Sequence, residues 1–194
     1  MTQSTGAVLV TGGAGYIGSH TVAELLPAGW DVVVVDNLSN ASAESLRRVQ
    51  ALVGRDVPLV VADLRDEDAL HTVLRSRRFD AVIHFAGSKA VGESVADPVS
   101  YYANNVGASL ALLRAMAAHD VRRIVFSSSA TVYGDPRAVP IREDAPLAPT
   151  NPYGHSKAMI ERMLLDLAAA DASWSIGILR YFNPVGAHES GRIG

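Results

Sequence analysis

The sequence predicts a doubly wound α/β domain built on a parallel sheet of at least six strands, with helices on both faces. Strand-like and helix-like runs alternate over the whole length. The strand-like runs are rich in Val and Ile and show little polar alternation, which is typical of parallel strands buried on both faces. In residues 7–18, an apolar strand passes through a glycine-rich turn into a helix-like pattern. These three observations together predict the fold class.

The predicted elements follow one another with short connections. The strands are 7–11, 31–36, 59–62, 81–86, 123–128 and 175–181, and the helices are about 16–26, 43–53, 66–77, 99–119 and 152–170. Gly29 and Gly54 stand where helix ends favour a left-handed residue. Asp66, and Asp97 before a proline, mark helix starts. The stretch 135–152 holds five prolines and is predicted to be an ordered surface excursion, so residues 1–194 are expected to form one domain.

Composition excludes several functional classes. The net charge is −3 and no basic block occurs, so nucleic acid is not expected as a partner. The chain has no cysteine, which excludes disulfides and thiol catalysis. No run approaches the roughly 18 apolar residues of a membrane span, and residues 1–5 do not resemble a signal peptide. Six scattered histidines lack metal-ligand spacing. We therefore expect a soluble, cytoplasmic protein without metal or membrane partner.

The glycine-rich turn predicts a dinucleotide site. Gly12, Gly15 and Gly18 have G-x-x-G-x-x-G spacing, and bare backbone N–H groups at a helix start suit a pyrophosphate. Glycines also occur in such turns for geometric reasons alone. Asp36 ends the second strand 18 residues after Gly18, near the position of an acid that binds the ribose hydroxyls. Such an acid would repel a 2′-phosphate, so a Rossmann-like domain that binds NAD is expected; a solvated turn residue is the alternative for Asp36.

Polar or small residues follow the other strands at the same edge of the sheet. Asp63 would either contact the adenine or cap the following helix. Ala86 and Gly87 would let a flat cofactor approach the backbone, and Lys89 would reach a phosphate or face solvent. The serine run 127–129 is placed to contact a substrate. Asn183 would lie over the same crevice, or be a buried turn residue before a proline.

Tyr153 and Lys157 are four residues apart on one predicted helix and therefore share a face. A tyrosine with a pKa near ~10 is a poor base at neutral pH, but a neighbouring ammonium group stabilises the phenolate. We therefore expect Lys157 to lower the pKa of Tyr153. An exposed pair without chemistry is the alternative.

These motifs resemble those of the extended short-chain dehydrogenase/reductases. The segments that carry the resemblance are residues 10–20, 35–38, 82–87, 89–94, 126–134, 151–157 and 179–191. The resemblance implies Tyr153 as catalytic base, Lys157 as its electrostatic partner and Ser129 as a catalytic hydrogen-bonding residue. It implies Ser129, Tyr153 and Asn183 as substrate contacts. The implied NAD contacts are Gly12, Gly15, Tyr16, Ile17, Gly18, Asp36, Asn37, Asp63, Leu64, Phe85, Ala86, Gly87, Lys89, Asn104, Tyr153, Lys157 and Phe182.

The family branch with these motifs implies an isomerase of galactose metabolism that inverts C4 of a UDP-hexose, interconverting UDP-galactose and UDP-glucose. In that reaction Tyr153 removes the 4-hydroxyl proton while a hydride passes to NAD, and the hydride returns to the other face of a 4-keto sugar. Family members continue with a C-terminal region that binds the nucleotide of the substrate. That region is not in this sequence, so the activity of the 194-residue chain is an open expectation.

Two alternatives and one departure accompany this interpretation. A 4,6-dehydratase would carry acidic residues in the serine run, and 127–131 has none. A non-catalytic NAD-binding or NAD-sensing module is the second alternative.

The helices 99–119 and 152–170 correspond to a dimer interface in the family, so a homodimer is expected. Gly107 and Ala108 replace the Asn-Gly-Thr pattern of the family after Val106, which weakens any role for that helical turn.

Overall fold

The computed structural model describes residues 5–194, and these residues contain a six-stranded parallel sheet. The strands are β1 Gly6–Thr11, β2 Trp30–Asp36, β3 Leu59–Val61, β4 Ala81–His84, β5 Arg123–Ser129 and β6 Ser175–Tyr181. Their order in the sheet is β3-β2-β1-β4-β5-β6, and every neighbouring pair is parallel. The predicted doubly wound fold is therefore confirmed. Residues 1–4, where the sequence predicts no signal peptide, lie outside the described residues.

Seven α-helices connect and flank the strands in the described chain. They are α1 Tyr16–Leu25, α2 Ala43–Val53, α3 Glu67–Ser76, α4 Val91–Ala96, α5 Pro98–Tyr102, α6 Ala108–Ala118 and α7 Pro152–Ala170. A π-helical turn, Ala103–Gly107, joins α5 to α6, and a 3-10 turn, Ala130–Tyr133, follows β5. Four of the five predicted helices have these bounds to within one residue. None of the helices in residues 5–194 is long and apolar enough to span a bilayer.

The predicted helix over 99–119 is confirmed as a helical stretch over residues 98–118, but it is not a single α-helix. The π turn interrupts it because the side chain of Asn105 is buried and bonds to residues outside the helix. The short helix α4 was not predicted. It depends on tertiary contacts, among them the Tyr101 hydroxyl, which donates a hydrogen bond to the Ala90 carbonyl at the helix start (2.8 Å).

Strand β4 ends two residues earlier than predicted. The backbone N–H groups of Phe85 (2.9 Å) and Ala86 (3.1 Å) both donate to the carbonyl of Thr11, which bends the chain away from the ladder. The predicted helix starts are confirmed: Asp66 accepts from the N–H of Ala69, and Asp97 accepts from that of Ser100.

Two apolar layers cover the faces of the sheet. Alternate residues of a strand point to opposite faces, so Leu9 and Val33 join one layer and Val8 and Val34 the other. The first layer packs against α3, α6 and α7, and the second against α1 and α2. This burial on both faces explains why the strands lack polar alternation.

Candidate functional site

A cleft of about 480 Å³ lies at the carboxyl ends of the strands. It spans the point between β1 and β4 where the strand order reverses, the usual place for a ligand in such sheets. Every site residue predicted from the sequence lines this cleft. These residues are Gly12, Gly15, Tyr16, Ile17, Gly18, Asp36, Asn37, Asp63, Leu64, Phe85, Ala86, Gly87, Lys89, Asn104, Ser129, Tyr153, Lys157, Phe182 and Asn183.

The turn before α1 requires glycine at two positions. Gly12 has φ 70°, and a Cβ atom there would lie 2.5 Å from the backbone nitrogen of Ala86. A Cβ atom on Gly18 would lie 2.4 Å from the carbonyl oxygen of Gly12. No side chain caps α1 at Gly15, so its first N–H groups face the cleft edge uncovered. The turn therefore forms an anion-binding cradle at the positive end of a helix.

Asp36 is a buried anchor of this turn, 7% exposed, and the alternative of a solvated turn residue is wrong. Its Oδ2 accepts a hydrogen bond from the N–H of Ala14 (3.0 Å), and its Oδ1 accepts one from that of Leu38 (2.9 Å). Each carboxylate oxygen retains acceptor capacity. Asp36 thus holds the glycine turn against β2 and still offers acceptors for hydroxyl groups.

Asp63 does not cap the following helix, because Asp66 does so. The Asp63 carboxylate instead accepts hydrogen bonds from the Arg65 guanidinium, at 2.7 and 2.9 Å, and this pairing lowers its pKa to about 2. Asp63 therefore presents a fixed negative charge at the cleft edge. Lys89 is exposed at the rim, so neither of its two predicted roles is decided by its position.

Lys157 is buried below the cleft floor, 5% exposed. Its Nζ atom donates a hydrogen bond to the Ser127 carbonyl (2.9 Å) and lies 4.9 Å from the centre of the Phe126 ring. It lies 5.9 Å from the centre of the Tyr153 ring. Burial lowers the pKa of Lys157 to about 8. The alternative of an exposed Tyr–Lys pair is therefore wrong.

Burial raises the pKa of Tyr153 above its usual value, and a hydrogen bond with Ser129 lowers it in part. The expectation that Lys157 makes this pKa low is therefore not met, because the ammonium group bonds to Ser127 rather than to the phenol. Thr131 orients Ser129: its N–H (3.2 Å) and its hydroxyl (2.9 Å) both donate to Ser129 Oγ. The Ser129 proton is thus left free to point to Tyr153.

Asn105 holds the cleft wall together and was missed in the sequence. It accepts from the N–H of Ser88 (2.8 Å) and donates to the Ser88 carbonyl (3.0 Å) and to Ser156 Oγ (3.0 Å). Ser156 in turn donates to the carbonyl of Tyr153. Asn104, which was predicted, donates to Ser88 Oγ (3.0 Å) in the same π turn. The trace of this arrangement in the sequence is the pair of successive Asn residues inside a helical pattern. This pair lies in the π turn, and π turns often occur at functional sites.

The segment after β6 crosses back over the start of α1. The Tyr16 hydroxyl donates to the Gly186 carbonyl (2.6 Å), and Ile193 is buried in the layer with α1 and α2. Phe182 is 59% exposed, and Asn183 is exposed as well, so the alternative of a buried turn Asn is wrong. Both stand at the open side of the cleft. Within residues 5–194, no cluster of three His, Asp or Glu side chains has a geometry that could hold a metal ion.

Comparison with known proteins gives one consistent group. The model of the NAD dependent epimerase/dehydratase family matches residues 8–193. The UDP-glucose 4-epimerase of Bacillus subtilis is 58% identical over 188 residues, which are 97% of this chain and 56% of that protein. The chain thus spans about half the length of the curated relatives it matches.

Two solved structures are similar over nearly the whole chain. UDP-glucose 4-epimerase from Bifidobacterium longum, in complex with NAD+ and UDP, has a TM-score of 0.95 and 54% identity, and the match covers 97% of this chain and 56% of that one. The enzyme from Stenotrophomonas maltophila, with bound NAD and formylated UDP-arabinopyranose, has a TM-score of 0.95 and 46% identity, with the same coverage.

Proposed function

The chain belongs to the NAD dependent epimerase/dehydratase family, and we propose that it is the NAD-binding, catalytic part of a UDP-glucose 4-epimerase. This membership confirms the family resemblance of the sequence motifs. The observation that carries the proposal is that Ser129, Tyr153 and Lys157 lie in the same cleft as the glycine turn. A dinucleotide cradle and a buried Ser–Tyr–Lys group together suit hydride transfer at a sugar alcohol.

The residues present fit NAD. A Cβ atom at Gly12 or Gly18 would collide with the chain's own backbone, so only glycine lets the turn take the shape in which its N–H groups can reach a pyrophosphate. The Asp36 carboxylate keeps acceptor capacity for ribose hydroxyls and would repel a 2′-phosphate. The relatives from B. longum and S. maltophila bind NAD. Bound NAD would supply the hydride acceptor for the first step and the hydride donor for the second.

The chain's own residues handle the proton. Tyr153 takes the proton of the 4-hydroxyl group and later returns it, and Ser129 hydrogen-bonds to the reacting oxygen and to the phenol. Lys157 Nζ lies 5.9 Å from the centre of the Tyr153 ring, and in this proposal its charge favours the phenolate against the burial that raises the pKa of Tyr153. Asn183 and the exposed Phe182 face the open side, where we place the UDP-hexose and its 4-keto form.

A 4,6-dehydratase is the weaker proposal. The carboxylates that line the cleft are those of Asp36 and Asp63, and both lie on the β2–β3 side, away from Tyr153. An acid that could protonate a leaving hydroxyl next to Tyr153 is therefore lacking among the lining residues. A non-catalytic NAD-binding module remains an outcome of the test below.

The homodimer expected from the sequence is also a proposal. Val99 (76% exposed), Leu110 (48%), Met159 (46%) and Leu165 (53%) are apolar and exposed on the helices concerned. We propose that these helices, α5 and α6 with α7, pair with those of a second copy. The cytoplasmic location stays a prediction.

Two measurements test the function. The purified chain is denatured and its supernatant assayed for NAD, and the native chain is assayed for conversion of UDP-galactose to UDP-glucose. Tyr153→Phe should retain NAD and lose turnover, whereas Tyr102→Phe, outside the cleft lining, should keep both. NAD without turnover in the unsubstituted chain would favour the non-catalytic module. Turnover unaffected by Tyr153→Phe would overturn the assignment of the base.

A further inference from the structure

The last residues of β5 and one stripe of α7 are joined by three separate contacts. Tyr153, Lys157 and Glu161 are spaced four residues apart and so lie on one helix face. In the serine run, the Ser127 carbonyl accepts from Lys157 (2.9 Å) and the Ser128 hydroxyl donates to Glu161 (2.5 Å). The Ser129 hydroxyl is placed to act on Tyr153, whose pKa it lowers. Two of these contacts belong to the proposed catalytic group. The Glu161 contact, two helical turns from Tyr153, has no role in it.

Glu161 is a buried carboxylate, 1% exposed, and its charge is compensated by one arginine. Arg180 on β6 donates from Nη2 to Oε2 (2.8 Å) and from Nε to Oε1 (3.0 Å). In the sheet register Arg180 lies beside Ser128. The bonds to Glu161 raise the pKa of Arg180 above its usual value, so the guanidinium group stays charged. The carboxylate thus receives donors from two adjacent strands at once.

The same arginine extends the network beyond the sheet. Its Nη1 atom donates to the Tyr133 hydroxyl (2.7 Å) and to the Glu143 carbonyl (3.1 Å). Tyr133 ends the 3-10 turn that contains Thr131, the residue that orients Ser129. The proline-rich excursion is therefore tied to the same point as the catalytic strand.

We propose that the Glu161–Arg180 ion pair is a positioning device that holds the end of β5 so that Ser129 faces Tyr153. Ser128 and Ser129 are adjacent at the end of β5, so the hydrogen bond from Ser128 to Glu161 fixes the backbone from which the Ser129 side chain extends into the cleft. A buried ion pair commonly adds little stability compared with apolar residues of equal size. We therefore ascribe the ion pair behind the end of β5 to the positions that it fixes, rather than to a gain in stability. The role of this positioning in catalysis rests on the proposed function. The contacts of Glu161 with Ser128 and Arg180 are independent of that function.

The ionisation of Tyr153 reports on this contact, because the Ser129 hydrogen bond lowers its pKa. The other groups that act on Tyr153 are Lys157 on its own helix and Tyr101, whose hydroxyl also bonds to Glu93. None of these groups forms a side-chain hydrogen bond or ion pair with Glu161 or Arg180 in the described chain. Because Tyr153 and Glu161 share α7, the Ser129→Ala background is needed to separate an effect that passes through β5 from one that passes along the helix.

The experiment titrates Tyr153 in the purified chain by the near-ultraviolet absorbance of its phenolate. Each variant is measured against the same variant carrying Tyr153→Phe, so that the five other tyrosines cancel. Ser129→Ala should raise the pKa of Tyr153, and Glu161→Gln should raise it in the same direction. In the Ser129→Ala background, Glu161→Gln should produce no further shift, since its effect passes through Ser129. Glu67→Gln, in the exposed ion pair with Arg114, is the matched control and should leave the titration unchanged.

Two milder variants keep the test decisive if Glu161→Gln does not fold. Ser128→Ala removes only the hydroxyl that donates to Glu161 and should raise the pKa of Tyr153, whereas Arg180→Lys keeps the charge and should produce a smaller rise. A folded Glu161→Gln or Ser128→Ala chain with the Tyr153 titration of the unsubstituted protein overturns the proposal. The proposal is also overturned if Glu161→Gln shifts the pKa of Tyr153 in the Ser129→Ala background as much as it does in the unsubstituted chain. Because turnover is not measured, a failure of the epimerase assay would refute the proposed function and leave this inference standing.

Discussion

The ammonium group of Lys157 donates a hydrogen bond to the carbonyl of Ser127 across the interface between α7 and β5. This contact places a positive charge inside the protein, over the ring of Phe126, without a carboxylate partner in the described residues. Burial lowers the pKa of this group to about 8, so the buried charge costs stability rather than adding to it.

The first prediction concerns the pH dependence of stability that Lys157 causes. Burial lowers its pKa from 10.5 to about 8, so between these values the unfolded chain binds more protons than the folded chain. Stability should therefore rise with pH across this window, by up to roughly 3 kcal/mol. Urea unfolding as a function of pH measures it. Lys157→Met should abolish the rise, and Lys89→Met, at the only other lysine, should keep it. An equal rise in the Lys157→Met chain would contradict the prediction.

The second prediction concerns acid unfolding and His84. This side chain is 2% exposed, with Nδ1 2.7 Å from Thr11 Oγ1 and Nε2 2.9 Å from Ser109 Oγ. Burial, and secondarily Lys157, lower its pKa from 6.5 to about 3. Between these values the unfolded chain binds the extra proton, so stability should fall as the pH falls, by on the order of 4 kcal/mol.

Acid titration of unfolding, followed by circular dichroism, checks this slope. His84→Gln should make the pH dependence shallower below pH 6.5, whatever its effect on stability at neutral pH. His155→Gln, at an exposed histidine, serves as the control and should retain the slope. The assignment to His84 fails if the two variants unfold with the same pH dependence.

The third prediction concerns the glycine turn. In Gly18→Ala the new methyl group meets backbone atoms, the Gly12 carbonyl oxygen at 2.4 Å and the Gly13 Cα at 2.7 Å. Backbone cannot move aside as a side chain does, so α1 must shift. We expect a loss of about 1–3 kcal/mol in the free energy of unfolding and weaker NAD binding.

Urea unfolding and equilibrium dialysis with NAD measure both effects. Gly92→Ala is the matched control, because a Cβ atom at Gly92 meets nothing within 4 Å. It should be neutral or more stable by up to about 1 kcal/mol. Unchanged NAD affinity in Gly18→Ala would mean that the cradle does not hold the cofactor.

The fourth prediction concerns the proposed dimer. Val99→Glu combined with Met159→Glu places charges on two exposed apolar positions of α5 and α7 and should convert a dimer to a monomer, because each buried charge would lack a partner. Light scattering of the purified chain measures its mass. Val139→Glu, 81% exposed in the proline-rich excursion, should leave the mass unchanged. A monomeric unsubstituted chain would show the homodimer prediction to be wrong.

The sequence alone was sufficient for the fold and for membership of the cleft. Runs of Val and Ile, the glycine spacing and residues such as Asp66 act over a few positions, so local patterns predicted the six strands, four of the helices and part of the cleft lining. Other lining residues, such as Leu64, Phe85 and Asn104, came only from the family resemblance. The ends of parallel strands meet at one edge, which is why Asp36 and Ser129 could be placed together without coordinates.

Only the tertiary structure decided what these residues do to one another. The pKa of Tyr153 is raised because burial outweighs the Ser129 hydrogen bond, and burial depends on the whole fold. The π turn at Asn105 and the pair of Glu161 with Arg180 join residues from different strands and helices. Such contacts produce no periodic pattern in the sequence, because the fold brings their partners together from distant positions in the chain. The sequence therefore determined which side chains reach the cleft, and the packing determined their charge and orientation.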